Sequence, residues 1–308
     1  MPYIAKESDV QATVSDFGTF CDYIERETPL ATKKGDLSIK ACFKCNQILR
    51  NQRKGAKDTD RMFQYPSVSL WFSIARESGL VVQEDIKGGK TVFVTTDSYS
   101  EFKTMSVFSQ YVLIFQTWYC FVNIGEQYME RGMQYILHNL VDGVFRELKE
   151  NGSSKWYQDK NAKPGDFFSR GKITNYLFEH GYKTAHVLMD LGLIEIKESS
   201  LISARYKSPI LSKIKPTPLG HSIMTASEYR RYRWFNVYVE EIVELDELET
   251  FEQMDEGNGE FITPFLVFFP DGEIDVQVIS KLLFGHEDIE SASYTFEMKV
   301  SLGKKCIA

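Results

Sequence analysis

The chain has 308 residues, 43% of them hydrophobic, 26% charged and 14% aromatic, and a formal net charge of −7. These values describe a globular protein with ample core material and exclude disordered, collagenous and coiled-coil classes. At about 150 residues per domain the length suits two domains or three small ones.

The opening, MPYIAKESDVQ, lacks the basic-then-apolar pattern of a signal peptide. Five cysteines, odd in number and irregularly spaced (Cys21, Cys42, Cys45, Cys120, Cys306), suit reduced thiols. Together these point to a cytoplasmic protein. Charge is segregated along the chain. Residues 31–65 hold nine cations (Lys33, Lys34, Lys40, Lys44, Arg50, Arg53, Lys54, Lys57, Arg61) against Asp36, Asp58 and Asp60.

Within that run, Leu37–Asn51 has helical spacing, with Ala41, Cys42, Cys45 and Leu49 on one side and Lys40, Lys44, Gln47 and Asn51 on another. Gly55–Asp60 reads as a loop. Pro66 to about Ser78 reads as a helix capped by Ser67 and ended by Gly79. Leu80–Gln83 and Thr91–Thr95 form a hairpin about an Ile86–Lys90 turn. A helix capped by Asp97 or Ser98 then runs through the aromatic stretch to Phe121. The apolar run Val107–Ile124 is broken by Ser109, Gln110, Gln116, Thr117 and Asn123, so a buried helix fits it better than a membrane span. Helices, a hairpin with a basic tip, then another helix is the order of a winged helix.

Residues 122–150 carry an apolar stripe of helical spacing, and Asn151–Gly165 has linker composition. The first order of elements then recurs. Lys172–His180 and Thr184–Leu191 read as helices around a Gly181–Lys183 turn, Gly192 as a break, and Leu193–Ile196 as a strand. Lys197–Ser208 reads as a wing, Ile210–Lys215 as the returning strand, and Pro216–Gly220 leads into a helix. Glu77–Val81 matches Asp190–Ile194, and Val94-Thr95-Thr96 matches Ile214-Lys215-Pro216-Thr217. From 205 to 235 there are seven cations and one acid. From 240 to 260 there are ten acids and no base, with Ile242, Leu245, Leu248 and Phe251 on an apolar side. That segment reads as a solvated linker helix or as a nucleic-acid mimic folded back on the basic body.

The expected fold is mainly α (α+β). It comprises a winged-helix-like domain at 1–121, a helical connector and linker at 122–165, a second winged-helix-like domain at 166–235, and an acidic α/β segment at 236–308.

Two passages resemble a known family. Pro29–Leu37, reading PLATKKGDL, resembles the P-L-x-(T)-x-x-G-N-L opening of uncharacterised regions attached to the plasmid-borne open-reading-frame-three-like family. Tyr294–Gly303, reading YTFEMKVSLG, looks like the first strand of that family's own domain. Asp36 stands where Asn is usual, and just one strand of that domain is present. The resemblance implies a modular, helix-turn-helix-like front half and a link to mobile elements. It implies no reaction.

No motif carries an enzyme signature. Cys42 and Cys45 form a lone CxxC with no second pair; it reads as packing, with a metal or redox pair as lesser alternatives. The histidines do not cluster, and Gly88-Gly89-Lys90 lacks the upstream glycine of a phosphate loop. No catalytic residue, metal site or cofactor is expected.

Recognition is left. A winged helix holds phosphates with Lys and Arg on its helix and hairpin. The expected contacts are Lys40, Lys44, Arg50, Arg53, Lys54, Lys87 and Lys90 in the first copy, and Lys183, His186, Arg205, Lys207 and Lys213 in the second. The helix before the first wing counts against base reading. Val68, Leu70, Trp71, Phe72, Ile74 and Ala75 give it a buried character, and Ser69, Ser73 and Arg76 are its polar readers. The expectation is a non-enzymatic, DNA-associated or regulatory protein, with double-stranded DNA as its partner. The alternative is a protein-interaction scaffold without DNA binding. No membrane association is expected.

Overall fold

A computed structural model describes residues 5–121, 155–156, 182–202 and 209–224. The helices expected at 122–150 and Lys172–His180, most of the linker, and the acidic segment lie outside these residues. The described residues are mixed α+β, with helices and two small antiparallel two-stranded sheets.

Helix α1 spans Glu7–Glu27. Val10, Val14, Phe17, Cys21 and Ile24 recur at three- and four-residue spacing and are buried. The chain then runs antiparallel to what becomes the hairpin: the Ala31 N–H donates to the Thr91 carbonyl and the Phe93 N–H to the Pro29 carbonyl, both at 2.9 Å.

Helix α2, Ile39–Ile48, starts where the Ser38 hydroxyl accepts the Ala41 N–H. It is shorter than the expected Leu37–Asn51. The Arg50 N–H donates to Asp16 Oδ1 at 2.7 Å and the Arg53 N–H to Asn46 Oδ1 at 2.9 Å. Side-chain acceptors thus replace helical carbonyls and turn the chain outward.

Helix α3, Pro66–Glu77, has Pro66 in its first turn and Tyr65 as its N-cap. Ser67 does not cap it; its hydroxyl donates to the Asn51 carbonyl at 3.1 Å. Val68, Leu70, Trp71, Phe72, Ile74 and Ala75 are all buried, as the sequence implied. The Phe17 ring meets Trp71 edge-on at 5.7 Å, and the Trp71 indole N–H donates to Asp16 Oδ2 at 3.1 Å.

Strands β1 (Val81–Ile86) and β2 (Lys90–Thr95) pair from Val81–Thr95 out to Ile86–Lys90, which narrows the expected turn to residues 87–89. The expected single aromatic helix is two, α4 (Asp97–Thr104) and α5 (Val107–Phe121). The Ser106 hydroxyl accepts the Ser109 N–H at 3.2 Å, capping a new helix and so ending the old one. Thr96, not Asp97 or Ser98, is the N-cap of α4.

Helix α6 spans Tyr182–Asp190, so it already includes part of the expected Gly181–Lys183 turn. Strand β3 (Ile194–Ile202) pairs with β4 (Pro209–Pro216), and a helix occupies 218–224. The expected wing beginning at Lys197 is in part a continuation of β3.

The matched positions carry matched hydrogen bonds. Gly79 and Gly192 end their helices at φ 71° and φ 75°. Thr96 donates its hydroxyl to the Gly79 carbonyl at 2.8 Å and its N–H to the Leu80 carbonyl at 3.0 Å. Thr217 does the same to Gly192 at 2.7 Å and Leu193 at 3.0 Å. Leu80 and Leu193 are both fully buried at the start of their hairpins.

One apolar core runs through residues of both regions, from Val10, Phe17 and Trp71 to Leu188, Leu191 and Ile214. Helix α3 touches α1, α2, α5 and α6. Among the described residues no helix is long and apolar enough to cross a membrane.

Candidate nucleic-acid interface

The basic segment sorts its charges by side. Lys33, Lys34, Lys40, Lys44, Arg50, Lys54, Lys57 and Arg61 are exposed. Of its acids, Asp58 is exposed whereas Asp36 and Asp60 are partly buried. Asp60 is used structurally: its Oδ2 accepts from Arg53 Nη1 at 2.5 Å and from the Lys57 N–H at 2.8 Å. Lys44 pairs with Glu27 at 3.4 Å and Lys54 with Glu198 at 3.1 Å. Lys33, Lys34, Lys40, Arg50, Lys57 and Arg61 have no ion pair among the described residues.

Register brings some of these cations together. Because Leu30 bridges Val92 antiparallel, the turn carrying Lys33 and Lys34 leaves the sheet toward the hairpin end that holds exposed Lys87 and Lys90. The Ser38 N–H returns to the Leu30 carbonyl at 3.0 Å, which sets Lys40 beside the same edge. Arg50 lies past the far end of α2, roughly 15 Å away along the helix axis.

Other expected contacts are turned inward. The Arg53 side chain is 12% exposed, paired with Asp60, and its guanidinium lies 5.8 Å from the centre of the Tyr65 ring. His186 is buried, with Nε2 3.2 Å from Glu198 Oε1. Lys183 sits 4.8 Å above the centre of the Phe63 ring, and burial, helped by Arg53 nearby, pulls its pKa down to about 8. Lys213 is half-buried on β4 opposite Lys197. Arg205 and Lys207 lie outside the described residues. Of the readers expected on α3, Ser69 is buried, and Arg76 lies across the rings of Phe72 and Phe93 at 5.9 and 5.7 Å.

Beneath the basic surface runs a polar seam that sequence reasoning missed. Asp190 is fully buried, with Oδ1 accepting from Asn51 Nδ2 at 2.5 Å and Oδ2 left without a hydrogen-bond partner. Burial pushes its pKa up to about 6, against the pull of neighbouring hydrogen bonds and His186. Glu198 binds His186 and Lys54 at once, and the His186 hydrogen bond leads in lowering its pKa to about 2. Burial also raises Asp16, which ties the end of α2 to Trp71. The acid in the otherwise apolar Val187–Ile194 stretch was the one available signal for Asp190.

Cys21, Cys42 and Cys45 are buried free thiols, and burial pushes Cys42 up to about 12, so the CxxC presents no reactive thiolate. Among the described residues no three His, Cys, Asp or Glu side chains converge to hold a metal. Comparison with protein-family models, curated proteins and solved structures finds no match.

Proposed function

We propose that the chain is a non-enzymatic, DNA-associated regulatory protein on a winged-helix-like frame, and that it grips the nucleic-acid backbone without reading bases through α3. The carrying observation is the charge sorting of residues 31–61, where eight cations face solvent against one exposed acid, Asp58. Phosphate contact needs that arrangement and no more. The order α1, a bridged extended segment, α2, α3, then a hairpin supports the winged-helix reading. The burial of α3 argues that its sequence discrimination is low. The link to mobile elements rests on the resemblance of Pro29–Leu37 and Tyr294–Gly303 alone.

One observation favours the alternative of a protein-interaction scaffold. The helix that would read bases is covered by α6, while Leu30, Ile39, Ile48, Phe63 and Ile86 are exposed. Salt separates the two readings. A gel-shift titration on random duplex DNA should show binding at ~50 mM salt that weakens by orders of magnitude by ~200 mM. Lys40→Ala and Arg50→Ala should each weaken it and lower the salt slope by about one. Absence of any shift at ~50 mM salt overturns the DNA reading.

A further inference from the structure

The outer face of α2 shows more than phosphate binding requires. Ile39 and half-buried Phe43, one turn apart, form an apolar row, and Lys40 and Lys44 form a cationic row beside it. The Ser38-to-Leu30 hydrogen bond holds the Leu30 backbone at the start of α2, and Leu30 and Ile39 are 45% and 40% exposed. Exposed isoleucine and leucine contribute nothing to a phosphate contact. An apolar row flanked by lysines instead complements an apolar row flanked by carboxylates.

The chain contains such a segment. Residues 240–256 hold nine acids, at 240, 241, 244, 246, 247, 249, 252, 255 and 256, no base, and Ile242, Leu245, Leu248 and Phe251 between them. Residues 225–239 separate it from the last described helix, and a span of that length reaches up to ~50 Å. The folded part, at roughly 160 residues, is about 40 Å across, so all of its surface except the side opposite the linker's start is within reach.

We propose that Glu240–Glu256 docks on the outer face of α2, its apolar side on Leu30, Ile39 and Phe43 and its carboxylates against Lys40 and Lys44. Tethering makes the contact intramolecular, so a weak interaction suffices to fill the site. In so doing the segment competes with DNA for the same lysines. That consequence rests on the DNA reading; the docking itself does not.

Zero-length carbodiimide coupling of the full chain, mapped by mass spectrometry, tests the docking directly. The Lys44–Glu27 pair at 3.4 Å serves as the internal control for fold and reagent. The expected product joins Lys40 or Lys44 to a carboxylate of 240–256 within one chain, at a yield unchanged on tenfold dilution. Ile39→Asp, an exposed position, should cut that yield several-fold while Lys44–Glu27 coupling persists. Lysine coupling to Glu27 without coupling to 240–256 overturns the proposal, as does coupling between chains that dilutes away. A variant combining Glu240→Gln, Glu241→Gln, Glu244→Gln, Asp246→Asn, Glu247→Gln and Glu249→Gln should bind duplex DNA about tenfold more tightly. If the intramolecular product forms but neither protein binds DNA, the docking stands and the DNA reading falls.

Discussion

Asp190 is the residue on which pH acts most directly. A buried acid whose folded pKa lies above its ordinary 3.8 opposes folding when ionised. Its penalty is full above the folded value of about 6 and fades as pH falls from there toward 3.8. Glu198 has the opposite sign: its stabilisation is present above its ordinary 4.5 and is lost as pH falls from there toward about 2. Stability should therefore rise between pH 7 and 5 and fall below about pH 4. Asp190→Asn keeps the acceptor for Asn51 and removes the charge. It should stabilise the protein at pH 7 by roughly 1–2 kcal/mol and flatten the rise between pH 7 and 5. Urea midpoints of both proteins at the two pH values check this; an unchanged pH response would show that the seam's titration lies elsewhere.

At the scale of elements, the helix–glycine–hairpin–threonine unit occurs twice with the same hydrogen bonds, and it was legible in the sequence. Gly79, Gly192, Thr96 and Thr217 make local contacts that their own neighbourhoods specify. The two glycines differ in surroundings. A Cβ on Gly79 meets open space, whereas one on Gly192 lies 3.4 Å from the Asp9 carbonyl and the Thr13 hydroxyl. Gly79→Ala should cost about 1 kcal/mol, the conformational penalty of a positive φ. Gly192→Ala should cost about as much, because a Cβ at 3.4 Å makes an ordinary van der Waals contact with α1. A clearly larger loss for Gly192→Ala in urea denaturation would mean that α1 leaves no room for the added methyl. Helix α1 is also marked in the sequence by the three- and four-residue spacing of Val10, Val14, Phe17, Cys21 and Ile24; Val, Thr, Phe and Gly are weak helix formers there, and packing against α3 and α5 supplies what propensity lacks.

Across the whole molecule, the region 182–224 packs against α1, α3 and α5. The end of α6 lies in the interior. The Thr13 hydroxyl donates to the Asp190 carbonyl at 2.8 Å and the Tyr111 hydroxyl to the Leu191 carbonyl at 2.9 Å, so α1 and α5 satisfy carbonyls at the end of α6. Thr13→Val and Tyr111→Phe should each destabilise by about 1–3 kcal/mol, since each leaves a buried carbonyl unpaired. Amide exchange in 186–191 should then speed up together with that in 70–77. Exchange confined to 186–191 would show that α6 opens by itself.

The sequence by itself determined what depends on near neighbours: the hairpins, the glycines that end helices, the paired threonines, the apolar character of α3 and the segregation of charge. Tertiary structure decided which of those charges face water. Arg53 and His186 look like their exposed neighbours in a linear reading, yet one is held by Asp60 and Tyr65 and the other by Glu198. Asp190 meets Asn51 from 139 positions away, and no local pattern encodes such a meeting. Periodicity marks which face of a helix is apolar; what covers that face depends on which distant segment packs there. The fate of α3, buried beneath α6 instead of open to a groove, was settled in that way.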